Sequence, residues 1–383
     1  MTAGVEAFKV EWPAKELDRL RDRIRAFEVP SVPAGGEDWR FGCPPHVLQR
    51  LRGHWLDGYD AGAAVDELNR FPQFRTRIED VDIHFLHVVG EAGGRRPLLL
   101  VHGWPGSVFE FWSVIDRLAF PSRHGGQAAD AFDVVVPSLP GYGYSGRPGS
   151  LLGARSTARL FDTLMRERLG YDRYLAQGGD WGSAVCTWLG LEHPAGVRGI
   201  HLNFLLVQPA GTPNTEAEKR WQAQRDRTQA ALGAYAQLQA TKPLSIAYAM
   251  QDNPVAQLAW IVERFHDWSD LRDRPFEAVF TDDQLLTNVM IYVMTDAFAS
   301  AAFYYAAAAA EELRQMAPGQ RVAVPVAVTT YPDPRMPPPP RSWVERGYDL
   351  RRWKEAPRGG HFAAMEVPDF FVADLREWAA EMG

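Results

Sequence analysis

Short runs of consecutive apolar residues recur through much of the chain, and several are followed by a corner rich in glycine or proline. They lie at residues 98–101, 134–136, 174–176, 200–202 and 323–328, with helical stretches between them. Continuous apolar strands that alternate with helices are typical of an α/β fold, in which helices cover both faces of a mostly parallel sheet. Functional residues are expected in the loops after these runs, because open α/β sheets place their chemistry there.

Residues 1–90 have a different pattern, and we interpret them as an N-terminal extension. Pro13 can occupy the first turn of a helix, apolar residues then recur at helical spacing, and Pro30 ends the segment. Residues 47–55 form a second amphipathic run, and residues 81–88 are expected to form a strand.

Between residues 205 and 320 the alternation of strands and helices is interrupted. This region is rich in alanine, glutamine and aromatic residues, which indicates several helices. We interpret residues 205–320 as a helical cap inserted into the fold, so that residues 91–204 and 321–383 form the α/β core. The prolines at 337–340 predict a stiff, extended stretch.

Composition narrows the class of protein. The 383 residues are 46% apolar and 23% charged, which fits one large domain with an added subdomain. A net charge of −7 argues against a nucleic-acid partner. No long uncharged apolar stretch predicts a membrane span, and the N-terminus does not have the pattern of a signal peptide. Cys43 and Cys186 are expected to be free thiols, which fits a reducing cytoplasm.

The stretch GGDWGS (178–183) lies between two apolar runs, where a strand is expected to turn into a helix. A glycine-flanked elbow of this kind exposes its central residue at the top of the sheet, and many hydrolases carry serine there. Here the central residue is Asp180. A carboxylate can attack a saturated carbon that bears a leaving group, and water can then cleave the ester. Asp180 therefore indicates an epoxide or an alkyl halide as the substrate.

The second step of such a reaction needs a base and an oxyanion hole. His361 lies near the C-terminus, where the histidine follows the nucleophile and the acid in the usual chain order, and it is the candidate base. Backbone N–H groups of Trp104 and Trp181 are the expected oxyanion hole. Trp104 follows the first buried run, and Trp181 follows the candidate nucleophile.

Four motifs together resemble those of epoxide hydrolases of the microsomal type. They are HGWPGS (102–107), PSLPGYGYS (137–145), GGDWGS (178–183) and GGHFAAMEVP (359–368), and residues 66–88 resemble the extension that precedes the hydrolase domain in that family. The resemblance covers essentially the whole chain. It implies an α/β-hydrolase fold with a helical cap, and hydration of an epoxide through an ester on the enzyme. It implies no metal and no organic cofactor, with an epoxide and water as partners.

The family also uses two cap tyrosines, which donate hydrogen bonds to the epoxide oxygen and protonate it as the ring opens. The first usually lies eight residues before the proline of a T-[KR]-P motif, which gives Tyr235 here. The second usually lies ten residues after the threonine of a segment similar to TDAFASAAFYY (295–305). That spacing gives Tyr305, and the adjacent Tyr304 is the alternative.

The acid that orients the histidine departs from the family pattern. In the family it is the last residue of a [FY]-P-x-[DE] motif, whereas this sequence has Pro334 at that position and an acid one residue earlier. Asp333 is therefore the candidate, since the prolines that follow could absorb the shift. Glu345 and Asp296 are alternatives.

Two other functions stay open at this point. A haloalkane dehalogenase also uses an elbow aspartate with an indole after it, and a non-catalytic α/β-hydrolase scaffold would bind a hydrophobic ligand. The two cap tyrosines favour the epoxide over the halide, as does Trp104, where dehalogenases often carry asparagine. The intact pair of Asp180 and His361 argues against a scaffold.

Several properties follow only loosely from the sequence. Microsomal relatives carry an N-terminal membrane anchor that is not recognised here, so a soluble enzyme is expected. High alanine, arginine and glycine usage suggests a bacterial source. The identity of the epoxide, the regio- and enantioselectivity and the oligomeric state stay open, with a homodimer as one option.

Overall fold

The computed structural model describes residues 4–93, 96–311, 315–334 and 336–382. Within these ranges, nine strands form one sheet in the order β1-β2-β3-β5-β4-β6-β7-β8-β9. The strands are β1 Val5–Phe8, β2 Gln73–Ile78, β3 Val81–Val88, β4 Pro97–Val101, β5 Asp133–Pro137, β6 Tyr174–Gly178, β7 Val197–Leu202, β8 Val322–Thr330 and β9 Tyr348–Glu355.

The sheet changes character at β5. Strands β1, β2, β3 and β5 pair antiparallel in that order, and every pairing from β5 to β9 is parallel. Every residue of β4, β5 and β6 is buried, which explains their continuous apolar sequences. The five apolar runs expected to be strands all lie in strands. Strands β1, β2 and β9 were not expected.

Helices flank the sheet and fill the region between β7 and β8. They are α1 Ala14–Ala26, α2 Pro45–Asp57, α3 Ala61–Leu68, α4 Trp112–Ala119, α5 Ala154–Thr163, α6 Asp180–Glu192, α7 Glu216–Leu232, α8 Ala234–Thr241, α9 Pro243–Met250, α10 Pro254–Trp268, α11 Asp282–Thr295, α12 Phe298–Ala310, α13 Arg341–Val344, α14 Ala363–Glu366 and α15 Pro368–Glu381. Helices α5 and α6 pack together, as do α4 and α15. Helices α7 to α12 follow β7 and precede β8, in the region where the cap is predicted.

The N-terminal region braces the helices that follow β7. Helix α1 packs on α10, and α2 packs on α10 and α11. The ring of Trp39 stacks on that of His266 with centroids 3.7 Å apart. His54 Nε2 lies 2.7 Å from the carboxylate of Asp283 at the start of α11. The extension therefore fixes helices that, as shown below, carry the site.

No single helix in the described part of the chain is long and apolar enough to cross a membrane. Helices α11 and α12 together have the required length and composition, but an 88° bend separates them. Cys43 and Cys186 are both free thiols, as predicted, and Cys186 is buried in α6.

Candidate active site

The elbow predicted at GGDWGS is a sharp turn between β6 and α6. Strand β6 ends at Gly178 and α6 begins at Asp180, whose φ of 43° lies in the left-handed region that non-glycine residues rarely adopt. Helix α6 packs closely on β4. A Cβ at Gly182 would come within 1.9 Å of the carbonyl oxygen of Val101, so this close packing requires glycine. The turn thereby presents the Asp180 side chain at the carboxyl end of the sheet.

One of the two predicted oxyanion donors contacts the Asp180 side chain. The N–H of Trp104 donates to Oδ1 of Asp180 over 3.0 Å. A Cβ at Gly103 would lie 2.3 Å from the same oxygen, so this approach requires glycine. Trp181 is in the first turn of α6, where N–H groups have no partner within the helix.

The loop that carries Trp104 is held from α11 by contacts that the sequence did not reveal. Asn288 Nδ2 donates to the carbonyl of Pro105 over 2.8 Å, and its Oδ1 accepts from Ser107 Oγ over 2.9 Å. The Tyr292 hydroxyl donates to the carbonyl of Gly106 over 2.8 Å. Asn288 and Tyr292 are both buried. The amide of Asn288 within the mostly apolar stretch 285–294 of α11 was the one sequence signal, and it does not point to Tyr292.

His361 lies between two carboxylates. Its Nδ1 is 2.8 Å from Oδ2 of Asp333, and its Nε2 is 3.3 Å from Oδ2 of Asp180. The second contact lacks the alignment of a hydrogen bond. Burial lowers the pKa of His361, but the two carboxylates outweigh it and raise this pKa well above its ordinary value. The resting site therefore favours an imidazolium paired with Asp180.

The three candidate acids have different surroundings. Asp333 contacts the histidine, as described above. Glu345 pairs with Arg341 at 2.8 Å, and Asp296 pairs with Arg147 at 2.9 Å, both with solvent-exposed partners. The geometry therefore favours Asp333 over the two alternatives.

The loop that carries His361 is clamped along its length. All four N–H groups of residues 359–362 donate to fixed acceptors. Glu366 accepts from the residues on either side of His361, at 2.9 and 3.0 Å. Asp270 accepts from the first residue at 3.0 Å, and the carbonyl of Trp268 accepts from His361 itself at 2.9 Å. Burial raises the pKa of Glu366 to about 7, although these N–H groups act against the rise.

The two predicted tyrosines meet above the nucleophile. Tyr235 on α8 and Tyr305 on α12 line the same cavity as Asp180, and their rings lie edge to face with centroids 6.0 Å apart. The alternative, Tyr304, is buried elsewhere, with its hydroxyl 2.9 Å from Oγ1 of Thr157. The placement therefore favours Tyr305 over Tyr304.

The cavity has a volume of about 340 Å³. Trp181, Phe204 and Leu206 supply apolar walls near the nucleophile, whereas α7 supplies polar side chains, among them Gln222 and Arg225. Such a cavity suits a small or medium-sized apolar molecule with few polar groups.

The chain is similar to proteins of a known fold class. Residues 96–250 match the family model described as alpha/beta hydrolase fold. Together with the mostly parallel sheet and its flanking helices, this match confirms the predicted α/β-hydrolase fold. Residues 5–111 match the model described as epoxide hydrolase N terminus.

Individual relatives extend these matches over almost the whole chain. A protein from Stigmatella aurantiaca (strain DW4/3-1), provisionally named an epoxide hydrolase, is 41% identical over 379 residues, which are 98% of this chain and 84% of the relative. Epoxide hydrolase 1 from Oryctolagus cuniculus is 35% identical over 97% of this chain and 88% of its own length. The structure of Aspergillus niger epoxide hydrolase has a TM-score of 0.86 and 30% identity, and the alignment covers 100% of this chain and 97% of that chain. The chain belongs to the epoxide hydrolase family, as its motifs predicted.

Proposed function

We propose that the protein hydrolyses an epoxide to a vicinal diol in two steps, through an ester on Asp180 that water cleaves with the help of His361. One observation carries the proposal. Asp180 shares its cavity with Tyr235 and Tyr305, and its Oδ2 lies 3.3 Å from Nε2 of His361. Membership of the epoxide hydrolase family supports the same reaction.

In the first step, Oδ2 of Asp180 attacks a carbon of the epoxide ring. Its other oxygen is already bound by the N–H of Trp104, so Oδ1 becomes the carbonyl oxygen of the ester. The carbon–oxygen bond of the ring breaks, and its electron pair stays on the epoxide oxygen, which takes a proton from the tyrosine pair. Donors aimed at that oxygen act most strongly as charge develops in the transition state.

Ester formation prepares His361 for the second step. The esterified Asp180 has no charge, so one of the two carboxylates that raise the pKa of His361 is lost. The ring can then release its proton to bulk water, become neutral, and take a proton from the attacking water through Nε2, while Asp333 holds Nδ1. The water oxygen attacks the ester carbonyl carbon, and the negative charge on Oδ1 is stabilised by the N–H groups of Trp104 and Trp181.

Collapse of this intermediate releases the diol and restores the carboxylate. The leaving alkoxide takes the second proton of the attacking water, while His361 keeps the first and is again an imidazolium. The tyrosinate regains from bulk water a proton equal to the one that His361 released, so that epoxide and water give the diol with no other reactant. Because the attacking water oxygen enters the carboxylate and not the diol in a first turnover, the two steps leave a traceable label.

A single turnover in oxygen-18 water tests the mechanism, with styrene oxide as the probe. After digestion, the label is expected in the peptide that contains Asp180. Label found only in the diol would mean direct attack of water on the ring and would contradict the ester. Halide release from an alkyl halide, without diol formation from any epoxide, would instead support a dehalogenase.

A further inference from the structure

A buried cation lies over the ring of one of the two active-site tyrosines. Arg264 is on α10, and the central carbon of its guanidinium is 5.2 Å from the ring centroid of Tyr235 and 5.8 Å from that of Trp268. The Arg264 side chain is only 6% exposed. Trp104 stacks on the Tyr235 ring with centroids 5.0 Å apart and planes 10° apart. The Tyr235 ring thus contacts both an indole and a guanidinium.

Two carboxylates hold this guanidinium in place. Arg264 forms ion pairs with Glu263 and with Asp267, the latter at 3.2 Å. Both carboxylates are more exposed than the guanidinium, at 24% and 13%, although all three side chains line an outer cleft of about 440 Å³ that Tyr235 also borders. Water screens the more exposed carboxylates more strongly than a guanidinium packed against aromatic rings. The positive charge of Arg264 is therefore the one that acts most directly on Tyr235.

The position of this charge matters when a tyrosine loses its proton. A phenolate spreads negative charge into its ring, so a cation over the ring face attracts the phenolate more strongly than the neutral phenol. The surroundings of Tyr305 act in the opposite direction, because burial and the nearby Tyr235, Asp180 and Tyr142 raise its pKa well above the ordinary value. The ring of Tyr305 lies edge to face against the rings of Trp104 and Trp181, whereas a guanidinium lies over the ring of Tyr235.

We propose that Arg264 is a positioning residue that acts through Tyr235: it stabilises the Tyr235 phenolate, so that Tyr235 gives its proton to the epoxide oxygen and Tyr305 only donates a hydrogen bond. The inference rests on the proposed function. As Asp180 forms its bond to carbon, the released electron pair on the epoxide oxygen takes the Tyr235 proton. The phenolate then stays opposite Arg264 until it regains a proton from bulk water.

A double-mutant cycle on the alkylation step tests this coupling, with styrene oxide in single-turnover experiments. Arg264→Gln is expected to slow alkylation roughly 5- to 30-fold in the wild-type and Tyr305→Phe backgrounds, the scale of a desolvated cation–π contact. In the Tyr235→Phe background it should cost less than about 2-fold more, because no phenolate forms there. Equal slowing in all three backgrounds would mean that Arg264 only supports the structure, and would overturn the inference.

Two further variants separate charge from packing. Arg264→Lys keeps the cation and should recover most of the alkylation rate, whereas a rate as low as that of Arg264→Gln would contradict a role for the charge. Arg75→Gln is the matched control, because Arg75 also lies over an aromatic ring, at 4.6 Å from that of Phe8, far along the chain from the site. It should leave alkylation unchanged.

A direct measurement covers the case in which Arg264→Gln fails to fold. Stopped-flow absorbance should detect a transient tyrosinate as the ester forms, in the wild type and in Tyr305→Phe. Per ester formed, the signal should be absent in Tyr235→Phe. A signal lost in Tyr305→Phe and kept in Tyr235→Phe would overturn this inference but not the proposed function. A wild type that forms no ester would overturn both.

Discussion

Nδ1 of His361 lies 2.8 Å from Oδ2 of Asp333, although Asp333 precedes the position where the family pattern places its acid. The reason is local. Strand β8 ends at Thr330, and the N–H of Asp333 donates to the carbonyl of Tyr331 over 2.7 Å. This tight turn brings the carboxylate to the histidine within three residues of the strand, and Pro334 then leads the chain away.

The first prediction concerns this pair. Asp333→Asn should slow ester hydrolysis by roughly 1,000-fold or more, because the imidazole loses the partner that fixes its tautomer and stabilises its charge. Rapid-quench measurement of ester decay reports this step separately from alkylation. Glu345→Gln and Asp296→Asn are the controls, and both should hydrolyse the ester at nearly the wild-type rate. A large loss in either control, with little loss in Asp333→Asn, would move the role of the acid elsewhere.

The second prediction separates the two steps at His361. His361→Gln removes the base of hydrolysis but leaves the nucleophile and the tyrosines, so about one equivalent of styrene oxide should be consumed and ester should accumulate. Mass spectrometry of the intact protein would show the added mass. A folded variant that neither forms the ester nor turns over would contradict this division of labour.

The third prediction compares neighbouring tyrosines. Tyr305→Phe should slow alkylation roughly 10- to 1,000-fold, as expected for the loss of a transition-state donor, and should leave hydrolysis of the ester intact. Tyr304→Phe is the matched control, since its hydroxyl faces Thr157 instead of the cavity. It should lower the free energy of unfolding by about 1 kcal/mol through the lost hydrogen bond and change alkylation little. The reverse pattern would exchange the two roles.

The sequence predicted the central strands because burial on both faces leaves continuous apolar runs, at residues 98–101 of β4, 134–136 of β5 and 174–176 of β6. Strand β9 was not predicted, because it is not buried on both faces. It lies at the edge of the sheet, where its sequence YDLRRWKE is only partly buried, so no continuous apolar run marks it.

The sequence also reveals the reacting residues more readily than the residues that hold them in place. Asp180 is marked by its flanking glycines, which are local in sequence. Asn288 contacts Pro105 across 183 positions, and Glu366 clamps a loop through backbone groups that carry no sequence signal. Arg264 lies over Tyr235 only because α8 and α10 are brought together by the fold. Such contacts depend on tertiary structure, which spacing alone does not define.

The fourth prediction tests the clamp on the histidine loop. Each carboxylate oxygen of Glu366 accepts at least one backbone N–H beside His361, so Glu366→Gln puts an NH₂ group against a donor. We expect slower ester hydrolysis, by roughly 10- to 100-fold, because a small displacement of a catalytic base has a large effect on rate. Alkylation should change less, which a general loss of structure would not produce. Equal losses in both steps would contradict a role specific to the histidine.

The fifth prediction concerns stability and pH at a buried ion cluster beneath the sheet edge. Oδ2 of Asp374 lies 3.1 Å from His201 Nε2 and accepts from Thr329 Oγ1 over 2.5 Å, and Oδ1 accepts from Arg352 over 3.0 Å. Burial raises the pKa of Asp374, but its contacts with His201, Thr329 and Lys354 outweigh burial and hold this pKa well below the ordinary value.

A carboxylate whose pKa is lower in the folded than in the unfolded protein stabilises the fold above about pH 4, the ordinary range for Asp, and loses this contribution as the pH falls further. Asp374→Asn should therefore lower the free energy of unfolding by about 3 kcal/mol at pH 7, because it removes the one buried carboxylate among the partners of Arg352 and Lys354. It should also make stability less dependent on pH below about pH 4. Urea unfolding midpoints at several pH values measure both effects.

Glu377→Gln is the control, since Glu377 is a solvent-exposed partner of Arg352 at 2.6 Å. This substitution should lower the free energy of unfolding by less than about 1 kcal/mol. An Asp374→Asn protein with the acid sensitivity of the wild type would show that other carboxylates govern unfolding at low pH.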